Sequence, residues 1–186
     1  MAKIGLKNFR YSKLTEAADG TPTYDGAKTP AKAISCNVEI QNNSAALYAD
    51  DGLAESDATF QSGTVTMGID EEDTDMMADL LGHEVDSGGE MVRNADDVAP
   101  YVGFGRIITK IHNGERKYKV EILFKVKFSE PSQENTTKGE SVEFGTYEIE
   151  GTVSKLANGD WSKTKTFADY DAALAYLTAA FAAPTP

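Results

Sequence analysis

The chain is poor in the residues that staple, metallate or activate small proteins. It has one cysteine, Cys36, so no intrachain disulfide can form. Alternation with Ile34, Val38 and Ile40 places that cysteine on the inward face of a strand, as a buried, inert thiol. The two histidines, His83 and His112, have no Cys or second His at ligand spacing, which disfavours a zinc site. The acidic run Asp70 to Asp75 lacks the glycine of a calcium loop. No serine sits in a G-x-S-x-G elbow. Gly103-Phe104-Gly105 has neither a third glycine nor a following helix, so close packing or a kink is its expected role, not a phosphate cradle. No apolar run reaches the roughly 18 residues of a membrane span, and MAKIGLKNFRYSK lacks the apolar core of a secretory signal. Synthesis and retention in a cytosol are expected, with no catalytic residue, metal or cofactor. Positive charge is scarce as well. With 18 Lys and Arg against 30 Asp and Glu the net charge is -12, which argues against a grip on nucleic acid and suits a surface that slides past DNA.

What is present is alternation. At 186 residues the chain can bury about 70% of its unfolded surface and fold by burial alone. From Lys117 to Phe128, Tyr118, Val120, Ile122, Phe124, Val126 and Phe128 alternate with Lys117, Lys119, Glu121, Leu123, Lys125 and Lys127, a period of two over twelve positions. Together with the preceding strand from Val102 and the Asn113-Gly114 turn, this reads as a hairpin about twice the usual strand length. One buried face, one charged face and an end projecting toward another copy are expected.

Elsewhere, Met1 to Lys32 reads as an arm or long loop, broken by Gly20, Pro22, Gly26 and Pro30. Strands are expected at Ala33–Ile40 and Thr59–Ile69, with a loop at 42–57 between them. Asp70 reads as the cap of a helix of about eleven residues ending at Gly82. Asp86-Ser87-Gly88-Gly89 and Asn158-Gly159 read as turns, Trp161 to Phe167 as a strand, and Asp169 as the cap of a last helix carrying Leu174, Leu177 and Phe181. Buried parity changes between Val142/Phe144 and Tyr147/Ile149/Val153, so a bulge is expected near Gly145-Thr146. The expected architecture is an antiparallel β-sandwich with a long projecting hairpin and one or two flanking helices: an arm at 1–32, a single domain at 33–183 and a loose tail at 184–186.

Ile4-Gly5-Leu6-Lys7-Asn8, Gly20-Thr21-Pro22-Thr23-Tyr24, the segment Ile34 to Ile40, Ala46-Leu47-Tyr48-Ala49-Asp50-Asp51-Gly52 running to Glu55, and Gly63-Thr64-Val65-Thr66 together resemble the major tail proteins of long-tailed bacteriophages. The likeness is close over about the first 80 residues; beyond them it follows the order of hairpin, loop and final helix. It implies a tail tube protein: a β-sandwich assembled as hexameric rings stacked into a hollow tube through which the genome passes during ejection. Implied partners are its own copies, a tape measure protein inside the tube, a terminator at the head end and the distal tail proteins. Assembly would take place in the host cytoplasm and the product would reside in the virion tail. The rival readings are the tube protein of a phage-like contractile or secretion system and a monomeric β-sandwich binding module.

Candidate contact residues between subunits are Phe9 and Tyr11 in the arm, Leu47 and Tyr48 in the following loop, and Lys117, Lys119, Lys125 and Lys127 on the long strand. Glu143, Glu148 and Glu150 share a polar face that could line the lumen and repel DNA. The competing role for these glutamates is cross-strand pairing with Lys119, Lys125 and Lys127, at about 0.2–1 kcal/mol per pair. The lysines could instead meet acidic loops of an adjacent ring, such as Asp50-Asp51 or Asp96-Asp97.

Overall fold

The computed structural model describes residues 2–49, 52–132 and 146–184, with the side chains of 44–49 and 52–57 excepted. In chain order its elements are β1 (Ala2–Glu16), β2 (Pro22–Tyr24), β3 (Ala33–Ala49), β4 (Gly52–Ile69), α1 (Thr74–Leu81), β5 (Glu84–Val85), β6 (Met91–Val92), β7 (Val102–His112), β8 (Glu115–Phe128), β9 (Tyr147–Ser154), β10 (Ser162–Phe167) and α2 (Tyr170–Ala179). The fold is mainly antiparallel β with two flanking helices, as the alternation and short turns predict.

The main sheet runs β2-β1-β7-β8-β9-β4-β3, with β10 pairing β8 beside that path. β8 is shared. One of its edges is held by β7; on the other, Tyr118–Leu123 pair β10 and Lys125–Phe128 pair β9. The sheet divides there into two leaves that fold over a common core of Phe9, Tyr11, Val65, Met67, Ile69, Phe104, Leu123, Val126, Phe128, Ile149 and Val153, plugged by Met76, Met77, Leu80 and Leu81 of α1.

The division has a local cause. Val102 pairs Val126 and Phe104 pairs Leu123, so two residues of β8, Phe124 and Lys125, oppose the single Gly103. This bulge inverts the parity of everything after it. Val120 and Ile122 enter a second cluster under α2, whereas Val126 and Phe128 enter the common core. The uninterrupted twelve-residue alternation is thereby corrected: Lys117 and Lys119 lie on one face, Lys125 and Lys127 on the other. The second cluster closes where Ala173, Leu177 and Phe181 of the C-terminal helical turns pack on Gly103 and Gly105. A Cβ at Gly103 would sit 2.5 Å from ring carbons of both Phe181 and Tyr24. Close approach is therefore the reason for those glycines, as expected.

The N-terminal segment is not an arm. Ala2–Glu16 is a full strand along β7, and Asn8, at φ 49°, sits in a bulge between Lys7 and Arg10. The bulge lets Leu6 and the oppositely phased Phe9 and Tyr11 face one core. The Gly/Pro-rich stretch after it returns as β2 and a bridge from Lys28 to Tyr11. α1 starts later than expected, because Asp73 is the cap, its carboxylate accepting from the Asp75 N–H at 2.9 Å, while Asp70 binds the Lys32 backbone and ammonium instead. Gly82 ends the helix at φ 83°, and Asp169 caps α2, both as anticipated.

The region expected as a loop at 42–57 continues β3 and β4 as one long hairpin. Its outer partner β9 covers only Gly63–Ile69 of β4, and Phe60 stacks on Trp161 at 4.6 Å with the rings parallel. Past that stack, no strand among the described residues flanks the hairpin. The eight residues from Asn42 to Ala49 carry it about 25 Å outward. The long projecting hairpin is thus β3–β4; the β7–β8 hairpin is interior, flanked by β1 on one side and by β10 and β9 on the other. The bulge expected near Gly145 falls outside the described residues.

Candidate assembly surfaces

Among the described residues, four surfaces are left unsatisfied by the fold. The first is the projecting β3–β4 ribbon. Leu47 and Tyr48 lie on it, their backbones paired with Glu55 and Leu53, and their side chains fall outside the described set.

A second lies between β1 and β3, whose facing edges do not pair. A groove of about 390 Å³ opens there, lined by Lys3, Leu6, Ile34, Cys36, Val38 and Ile108, with Arg106 at its floor. The Arg106 guanidinium donates to the Cys36 carbonyl at 3.0 Å and to Glu121, tying the two leaves together. Burial raises the Glu121 pKa, but Arg106 and then Lys119 outweigh it and hold the carboxyl below its ordinary value. Cys36 and Val38 pack against the common core, as the alternation implied, but Cys36 is only half-buried and Ile34 and Ile40 remain 49% and 37% exposed, so the face is partly covered and also walls the groove. Burial still pushes the Cys36 thiol up, ahead of the opposing Arg106 charge.

Electrostatic polarity is the third feature, and it was readable in the sequence yet missed. Residues 33–92 hold fourteen Asp and Glu and no Lys or Arg, leaving sixteen acids and all 18 bases to the rest of the chain. In space, exposed Glu71, Asp73, Asp75, Glu84, Asp86 and Glu90 gather on α1 and the β5–β6 hairpin. This acidic end lies beyond the C-terminal end of β8, because Glu130 meets His83 at 2.5 Å and Arg93 at 3.7 Å. His83 is buried between Asp97 and Glu130 and anchors that end structurally. At the other end of β8, beside the Asn113-Gly114 turn, Lys3 stands directly opposite Lys110, and Lys110 directly opposite Lys117. Lys117 meets Glu115 at 2.8 Å, whereas Lys3 and Lys110 meet no carboxylate among the described residues. Like charges directly opposite on a sheet repel.

The fourth surface is the outer face of β3, β4 and β9. Ser35, Asn37 and Glu39 align with Gly68, Thr66 and Thr64, and these with Glu148, Glu150 and Thr152. Both Glu148 and Glu150 are exposed on it, while Glu143 lies outside the described residues.

The remaining sequence candidates are accounted for within the chain. Phe9 is 0% and Tyr11 3% exposed, so both are core residues and not exposed contacts; the Tyr11 hydroxyl donates to Asp79 of α1 at 3.1 Å. Strand alternation alone could not distinguish them from contacts, because the bulge at Asn8 decides which way they point. Lys119 pairs Glu121 at 3.2 Å, Lys125 pairs Glu16 at 2.5 Å, and Lys125 and Lys127 both lie over the Tyr101 ring. Lys127 stands opposite Thr152 and so diagonal to Glu150, the one position where the cross-strand alternative for the glutamates is geometrically available. No protein-family model matches the chain, and no curated protein matches it. No helix among the described residues is long and apolar enough to cross a membrane.

Proposed function

We propose that this chain is a structural subunit of a phage tail: it assembles with its own copies into stacked hexameric rings that form the tube through which DNA passes, and it performs no catalysis. The observation that carries this reading is the β3–β4 ribbon, which extends about 25 Å past the last strand that flanks it among the described residues. Backbone of that length bears its ordering entropy without return in a lone particle; a neighbouring copy supplies the missing edge and offsets that entropy. The sequence resemblance in segments along the same ribbon and along β1 supports the tail tube in particular. The polar face of β3, β4 and β9, carrying Glu39, Glu148 and Glu150 and bordered by Lys127 of β8, has the character of a lumen wall, since a predominantly negative, hydrogen-bonding surface repels passing DNA instead of holding it. On this reading the partners are the tape measure protein within the tube, the terminator and the distal tail proteins, and the site of action is the virion tail.

Negative-stain microscopy of the purified protein over a concentration series tests the proposal. Rings or tubes support it; a single compact particle at every concentration overturns it and favours a monomeric binding module.

A further inference from the structure

We infer that the two charged ends of the molecule are the two halves of one head-to-tail contact, in which the lysine row of one copy docks on the acidic end of a second copy. The inference rests on the assembly reading but goes beyond it, naming the surfaces and their polarity. Lys3, Lys110 and Lys117 form a cross-strand row on β1, β7 and β8, and two of the three have no anionic partner among the described residues. An isolated domain gains nothing from such a row, because directly opposed ammonium groups weaken the sheet that carries them. An anionic surface brought against it removes that repulsion and adds attraction.

The chain itself supplies a matching surface. Glu71, Asp73, Asp75, Glu84, Asp86 and Glu90 are exposed, and they belong to a 60-residue block with no Lys or Arg. The two surfaces are separated along β8 by the eleven residue steps from Lys117 to Phe128, about 35 Å, so one molecule cannot join its own ends. They are also different surfaces, which makes the contact heterologous: it repeats from copy to copy and gives the assembly a direction. Ions screen such exposed pairs over about 8 Å at physiological ionic strength, so docking weakens as salt rises.

Two charge-reversed chains test this. The first carries Lys3→Glu and Lys110→Glu; the second carries Glu71→Lys, Asp75→Lys, Glu84→Lys and Glu90→Lys, positions whose side chains serve no cap or turn, which leaves four lysines there against Asp73 and Asp86. The two new carboxylates oppose each other only as the two lysines did, and Lys110→Glu adds an opposite charge across from Lys117, so the first chain keeps its fold, checked by circular dichroism. In sedimentation velocity at low salt each chain alone shifts half-assembly to about tenfold higher concentration than the unaltered protein. An equimolar mixture restores it, because in alternating order every junction again joins opposite charges. Wild-type assembly by the first chain, or a mixture as dissociated as its components, overturns the inference. A protein that stays monomeric at all concentrations overturns both this inference and the assembly proposal. Charge-dependent oligomers that never form rings or tubes overturn the tube alone.

Discussion

Gly105 carries α2, and the arrangement can be tested with two substitutions. A Cβ at this position would stand 2.4 Å from Leu177 Cδ1, 3.0 Å from Phe181 Cε2 and 3.4 Å from Ile122 Cγ1. Leu177 and Phe181 are fully buried, so neither can swing into solvent and the helix must lift. Overpacking of this kind costs about 1–3 kcal/mol, offset by about 0.5–1 kcal/mol because alanine has less freedom to lose on folding. Gly105→Ala therefore destabilises by about 1–2 kcal/mol net. Leu177→Ala alone leaves a hole and costs about 2–5 kcal/mol. In the double variant the new methyl occupies space vacated by the leucine, so the combined loss falls short of the sum by about 1–2 kcal/mol. Urea unfolding followed through Trp161 fluorescence, at concentrations below assembly, measures all four corners of the cycle. Additivity within about 0.5 kcal/mol would refute the packing argument.

Phe9→Ala is expected to destabilise the monomer by about 3–5 kcal/mol and to lower its thermal midpoint by about 10 °C, because Phe9 is a core ring packed 5.3 Å from Phe104; a change below about 1 kcal/mol in calorimetry would return Phe9 to the surface. Glu121 titrates below its ordinary value of 4.5 in the folded chain, so its contribution is complete above that pH and is lost as pH falls through the folded value. Stability measured from pH 7 to 3 should stay level and then drop, and Glu121→Gln should flatten the acid limb; an unchanged limb contradicts the Arg106–Glu121 tie.

The fold class, the Asn-Gly turns, both helix ends marked by Gly82 and Asp169, and the tight packing at Gly103 and Gly105 were legible because each depends on a residue's own conformational range. Faces were not, wherever a bulge intervened. Asn8 and the pair Phe124-Lys125 shift the phase of β1 and β8 without any residue type that compels it, so Phe9 passed for a contact and four lysines for one stripe. The ribbon formed by 42–49 and 52–57 was hidden by its Asn, Ser, Ala and Asp, which have low strand propensity. Its acidic company, by contrast, was countable in the sequence: a block of sixty residues without Lys or Arg. Where its members meet in space depends on Glu130 reaching back to His83 and Arg93, a tertiary fact.

The pairing of β1 with β7 also sets a timetable for the ribosome. Phe9 meets Phe104, 95 residues later, so the first strand leaves the exit tunnel with its apolar side unmatched. At about 5–20 residues per second it waits roughly 5–20 s for its neighbour to be made. The β7–β8 pair is local and closes as soon as its turn emerges, offering one edge to the waiting first strand and the other to strands still to come. Nascent chains halted before residue 128 should accordingly be sticky and protease-sensitive, and the full chain compact.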